Sequence, residues 1–176
     1  MDARINIKIF LKTVILFPLF MIFIMFPLCL LIVITAFVPK GRVLATKLYE
    51  FFGWIGIVLV GVELNVIGAE KIDTKKSYVV IGNHPSTLDI FTHITALPVS
   101  IRFLTKTELF RIPIFGRVLK TLGLPRIDRK NAKANFEKIN DSINQVIKLG
   151  NSIIIFTVGK RSNLKELLTF KKGAAY

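Results

Sequence analysis

The segment Asn83-His84-Pro85-Ser86-Thr87-Leu88-Asp89 sets an imidazole and a carboxylate five positions apart. It directly follows an apolar run, Tyr78-Val79-Val80-Ile81-Gly82, that reads as a buried strand. Loops at strand ends carry chemistry more often than strand middles do. Histidine is the side chain most easily poised as a base near neutral pH. A carboxylate on its second ring nitrogen would fix the tautomer and stabilise the imidazolium. The pair therefore suits removing a hydroxyl proton while the oxygen attacks a carbonyl. The same residues support a structural reading. Ser86-x-x-Asp89 matches a helix capping box, with Ser86 as N-cap and Asp89 in the first turn. Both roles are compatible. The second histidine, His93, falls on the helix that follows and reads as an ordinary helix residue.

The elements around this pair alternate in type. Val62 to Ile67, Ser77 to Ile81, Val99 to Leu104, Leu124 to Ile127 and Ser152 to Thr157 read as strands. Ser86 to Leu97, ended near Pro98, and residues 113–122 read as helices. The clearest amphipathic helix is Asn131 to Leu149, where Phe136, Ile139, Ile143, Val146 and Ile147 share a face and Gly150 supplies the stop. Strands alternating with helices predict an α/β domain whose sheet is largely parallel and flanked by helices.

The front of the chain is different. From Val14 to Val38, 25 consecutive residues carry no charge, enough to cross a bilayer as a helix. Pro18 and Pro27 are positioned to kink that helix or split it. Arg4, Lys8 and Lys12 precede the run and Lys40, Arg42 and Lys47 follow it, so the positive-inside rule gives no orientation. That symmetry also suits a re-entrant hairpin. A second apolar piece, Phe51 to Val62, is too short to span and would complete such a hairpin or lie in the interface. The run exceeds a usual signal-peptide core and no A-x-A site follows it, which favours a retained anchor. The expected organisation is a membrane-anchoring segment over 1–62 and a catalytic domain over 63–176.

Charge and composition bound the partners. Of 176 residues, 25 are Lys or Arg and 11 are Asp or Glu, a net +14, which implies an anionic partner. The single cysteine, Cys29, rules out an internal disulfide and reads as a small hydrophobe. Neither G-x-S-x-G nor G-x-G-x-x-G occurs, and no His/Cys/carboxylate set has metal-ligand spacing. A nucleic-acid partner is not expected, because about half the aromatic residues lie in the apolar front and the rest occupy core-like positions.

Several stretches in order resemble the glycerolipid acyltransferases, typified by 1-acyl-glycerol-3-phosphate acyltransferase. His84-x4-Asp89 is similar to the first motif of that family. Lys106-Thr107-Glu108-Leu109, Pro113-Ile114-Phe115-Gly116 and Gly123-Leu124-Pro125-Arg126-Ile127-Asp128-Arg129 are similar to its second motif region. Ile155-Phe156-Thr157-Val158-Gly159-Lys160-Arg161-Ser162 aligns with the third, usually I-F-P-E-G-T-R-S, and Phe170-Lys171-Lys172-Gly173-Ala174 with the stretch after it.

The resemblance implies His84 as general base and Asp89 as its orienting partner. Arg129 and Arg161 become candidates for gripping the acceptor phosphate, since a guanidinium fork matches phosphate geometry. Each could equally belong to a solvated basic face. Lys106 is a further candidate, and Gly159 would allow close backbone approach at a strand end, although an ordinary turn explains it too. Lys120, Lys130 and Lys133 suit anionic headgroups or an acidic carrier.

The implied reaction moves an acyl group from acyl-CoA or acyl-carrier protein to lysophosphatidic acid, without cofactor or metal. The implied place is the inner (cytoplasmic) membrane, with membrane phospholipids around it and the site facing the cytoplasm. Two departures stand out. Thr157-Val158 replaces the Pro-Glu pair and Lys160 the Thr of the third motif. The chain also ends at Tyr176, before the family's fourth motif, so a C-terminal truncation is expected. These leave open a different lysolipid or amino-lipid acceptor, or a catalytically impaired membrane-binding remnant.

Overall fold

The computed structural model describes residues 14–15, 17–84, 86–128 and 135–156. The apolar front is helical but not one rod. A short helix α1 (Phe17–Phe20), a wider π-helical turn (Met21–Met25) and α2 (Phe26–Thr35) follow one another. Both prolines sit in the first turn of a segment, where the missing N–H costs nothing, and the wide turn absorbs the change between segments. After a tight turn over Ala36–Lys40 the chain folds back as α3 (Gly41–Val60), which packs on α2.

The second apolar piece is therefore longer than its composition implied. Arg42, Lys47 and Glu50 lie on the same helix as Phe51 to Val60, so the stretch expected to be too short to span belongs to a helix of 20 residues. Both Pro18–Thr35 and Gly41–Val60 are long and apolar enough to cross a membrane. A core helix of a soluble domain would be mostly buried, whereas only 18% and 28% of these segments is. Phe23, Ile34, Phe37, Trp54 and Val58 all face outward.

Behind α3 comes an extended stretch over 62–67, expected as a strand, which pairs with nothing among the described residues. Its alternation partly buries Val62 and Leu64, but a strand also needs a neighbouring ladder, and Val66 and Ile67 are exposed.

The α/β part then begins. Strands β1 (Val79–Gly82), β2 (Ile101–Phe103), β3 (Thr105–Lys106), β4 (Arg126–Ile127) and β5 (Ser152–Phe156) alternate with α4 (Asp89–Ala96), α5 (Phe115–Thr121) and α6 (Phe136–Lys148). The order β1-β5-β2 is parallel throughout, with Val80 opposite Ile154 and Arg102 opposite Ile153. β3 pairs in parallel with β4, and a bond from the Leu104 N–H to the Ile154 carbonyl joins the two sheets. Parallel strands covered by helices on their faces must be apolar on both, and β5 reads Ser-Ile-Ile-Ile-Phe for that reason. Ile101, Ile153 and Ile154 are at most 1% exposed, and burying each contributes about 1.5–3 kcal/mol.

Helix α4 starts at Asp89 rather than Ser86, because residues 86–88 form the capping turn instead of the first helical turn. The amphipathic helix is seen from Phe136, with Ile139 and Val146 buried and residues 131–134 outside the described part.

Candidate active site

Because the strands are parallel, their carboxyl ends share one edge, where ligands of open α/β sheets bind. Residue 84 follows the end of β1 there, and Phe156 ends β5 beside it. The turn from β1 into α4 brings His84 back against the first residue of that helix. His84 Nδ1 lies 2.7 Å from Asp89 Oδ2, with the two side chains 21% and 10% exposed. Nδ1–H donates to the carboxylate, which leaves Nε2 with its lone pair free to take a proton.

The carboxylate is held from a second side. The Ser86 N–H donates to the same Asp89 Oδ2 at 3.0 Å, and Ser86 Oγ accepts from the Leu88 N–H at 3.1 Å. One oxygen thus meets both the imidazole and the turn's backbone. The helix N-cap is Leu88 and not Ser86 as the capping box implied, because residues 86–88 form a turn ahead of the helix. That turn aims the carboxylate, and the aimed carboxylate orients the imidazole.

Two further partners join the pair. The Phe156 ring stacks on the His84 ring, 4.2 Å between centroids and 9° from parallel, so the imidazole plane is set by a strand three positions after Ile153. His93 Nδ1 donates to the Asp89 carbonyl at 2.6 Å and its ring meets Phe156 edge-on. The i, i+4 spacing of Asp89 and His93 on α4 was the available signal for that bond. Phe156 read only as an apolar strand residue. Gly82 completes the wall: a Cβ there would press on His93 Nε2 at 3.1 Å.

Lys106 ends β3 in the two-stranded sheet, opposite Ile127, and is exposed; among the described residues no hydrogen bond or ion pair joins it to His84. Arg129, Gly159 and Arg161 lie outside the described residues, as do Val158 and Lys160. No group of three metal-ligating side chains occurs among the described residues.

The Acyltransferase family profile matches residues 63–176. The chain belongs to the acyltransferase family. Among curated relatives, this acyltransferase is 33% identical over 136 residues to a 1-acyl-sn-glycerol-3-phosphate acyltransferase of Cocos nucifera, 77% of the chain and 44% of that protein. It is 33% identical over 119 residues to the enzyme of that name from Saccharomyces cerevisiae, 66% of the chain and 39% of that protein. The acyltransferase thus spans under half the length of either. Its fold matches the crystal structure of the 1-acyl-sn-glycerophosphate acyltransferase PlsC from Thermotoga maritima. The TM-score is 0.69 at 23% identity, over 96% of the chain and 67% of that structure. The α/β architecture with an apolar helical front is therefore that of a known acyltransferase.

Proposed function

We propose that this protein transfers a fatty acyl group from a thioester, acyl-CoA or acyl-carrier protein, to the free hydroxyl of lysophosphatidic acid, giving phosphatidic acid at a membrane. The observation that carries the reading is the 2.7 Å contact between His84 Nδ1 and Asp89 Oδ2 at the carboxyl edge of the sheet.

His84 Nε2 removes the hydroxyl proton as the acceptor oxygen attacks the thioester carbonyl. Asp89 holds the reactive tautomer and stabilises the imidazolium that results. Collapse of the tetrahedral intermediate breaks the C–S bond, and the imidazolium returns its proton to the departing thiolate. The acceptor's own hydroxyl takes the place of a serine, so the step as written forms no acyl-enzyme and draws on no cofactor.

Two further features support the reading. An apolar cavity of about 150 Å³ lies between α2, α3 and α5, lined by Leu28, Cys29, Phe52, Phe103 and Leu119. Phe103 stacks on Phe156, which stacks on His84, so this apolar space begins two rings away from the proposed base. An acyl chain needs such a place. The second is the pair of outward-facing apolar helices, which would hold the site at a bilayer surface. We place that surface at the inner (cytoplasmic) membrane, with the site facing the cytoplasm. On this reading Lys106, Arg129 and Arg161 grip the acceptor phosphate and Gly159 lets the backbone approach it.

The test is transfer of a radiolabelled acyl group from acyl-CoA to lysophosphatidic acid on membranes carrying the protein. His84→Ala should lower turnover about 10²–10⁴-fold, the usual worth of a general base. Equal turnover in wild type and variant would refute the mechanism. Thr157-Val158 in place of Pro-Glu favours a second reading, a changed acceptor or an impaired remnant. A panel of lysolipid acceptors in the same assay separates these. Turnover only with a different lysolipid identifies the changed acceptor, and none with any identifies the remnant.

A further inference from the structure

Arg102 sits in the middle of β2 and is 3% exposed. Burial pushes its guanidinium below the usual arginine range. Its hydrogen bonds go to neutral acceptors: the Leu122 carbonyl at 2.7 Å, Ser100 Oγ and the Ile101 carbonyl at 2.9 Å each, and Thr46 Oγ1 at 2.7 Å. Its face also lies over the Tyr49 ring, 5.4 Å from the centroid. Among the described residues no carboxylate comes within ion-pair distance of it. A buried charge is costly unless an opposite charge answers it. Four neutral acceptors hold this cation in place, and the Glu50 carboxylate favours its charge only from beyond ion-pair distance.

Arg102 forms part of the wall of a half-open cleft of about 820 Å³ between α3, the end of α5 and α6. Arg42, Lys47, Lys120 and Arg126 also line it, and among the described residues Glu50 is its only carboxylate. None of these four cations forms an ion pair among the described residues. Five positive groups around one open space, with a single negative one, make a potential well for an anion.

The cleft is not the active site. Asn151, which precedes β5, lines it, whereas Phe156 at the other end of that strand touches His84. Five residues of strand separate them, roughly 16 Å. The cleft opens beside the first turns of α3, where the exposed Val43 and Leu44 adjoin Arg42 and Lys47.

We propose that this cleft is a second anion site, taking a phosphate group at the amino edge of the sheet, opposite the His84–Asp89 centre. The phosphate is that of an anionic lipid headgroup or of a soluble phosphate, and the experiment separates the two. The site does not require the acyl-transfer reading: its wall takes in Gly123 to Arg126 of the stretch similar to the second motif, but none of the residues proposed for catalysis or for gripping the acceptor.

The full chain in a neutral detergent is titrated with inorganic phosphate, with dioctanoyl phosphatidylglycerol and with dioctanoyl phosphatidylcholine, following the thermal unfolding midpoint. The first two probes should raise the midpoint saturably and the third should not. A rise with phosphatidylglycerol alone assigns a lipid headgroup, and a rise with inorganic phosphate alone assigns a soluble ligand. Lys47→Gln/Lys120→Gln changes two exposed residues and keeps the buried arginine, so the fold is retained. It should weaken the apparent affinity on the order of tenfold, as expected for lost charge-assisted contacts. Lys106→Ala should leave it unchanged. The proposal is overturned if neither anion shifts the midpoint, if the double variant binds as wild type does, or if Lys106→Ala abolishes the shift.

Discussion

Asp89 serves two masters with one oxygen, and that makes its roles separable by substitution. In Asp89→Asn an amide oxygen in the place of Oδ2 accepts from both the Ser86 N–H and the His84 Nδ1–H, so the turn is kept while the negative charge that would stabilise the imidazolium is lost. Acyl transfer should fall about 10⁴-fold while thermal stability barely moves. A parallel loss of stability would mean that the turn, not the catalytic pair, is what Asp89 supplies. Phe156 acts on the same ring through its face. Phe156→Leu keeps most of the buried volume but loses the flat surface under the imidazole. The expected result is a turnover number about tenfold lower with KM nearly unchanged, since small misplacements of a catalytic group are costly. A change confined to KM would count against a positioning role.

At the scale of elements, the site depends on how closely α3 approaches α4. Gly53 and Gly56 make that approach possible: a Cβ at Gly53 would run into Ile94, and one at Gly56 into the Phe91 ring. Phe91 is itself wedged against Phe52, 4.8 Å between centroids. Gly56→Val should therefore cost about 1–3 kcal/mol through overpacking. A protein of this size would lose roughly 2–4 °C of melting midpoint per kcal/mol, with activity declining as α4 carries Asp89 out of register. Gly61 is the internal control. It ends α3 at φ 70° with open space around it, so Gly61→Asn should be tolerated because asparagine enters the left-handed region most readily. A Gly56→Val protein as stable as wild type would show that the helix pair is not tightly packed.

For the whole molecule the question is where the outward apolar faces of α2 and α3 go. Trp54, the chain's only tryptophan, is half exposed on α3 beside Phe51. If that face enters lipid, brominated acyl chains in reconstituted vesicles will quench its fluorescence strongly and aqueous iodide weakly. The reverse pattern would put α3 in water and require another partner for the apolar face.

Much of this could be read before any coordinates. The β5 run and the amphipathic α6 declare themselves because burial on two faces, or on one helical face, leaves a direct imprint on residue order. By contrast β1, read as buried, is an edge strand with Val79 and Ile81 exposed. His84 and Asp89 were legible for a related reason: both lie in one turn, and a short loop leaves little freedom in how its residues meet. The extended stretch over 62–67 was misread as a strand because a strand exists only with a partner, and alternation is silent about partners. The full length of α3 was obscured because Arg42, Lys47 and Glu50 interrupt an apolar count without interrupting a helix. Local order in the chain was thus enough to determine that His84 and Asp89 meet and the class of the fold. Tertiary structure alone decided that Phe156, more than sixty residues away, stacks on the His84 ring, and that a buried Arg102 faces a basic cleft. Both depend on parallel pairing across β5, a long-range contact that no local pattern encodes.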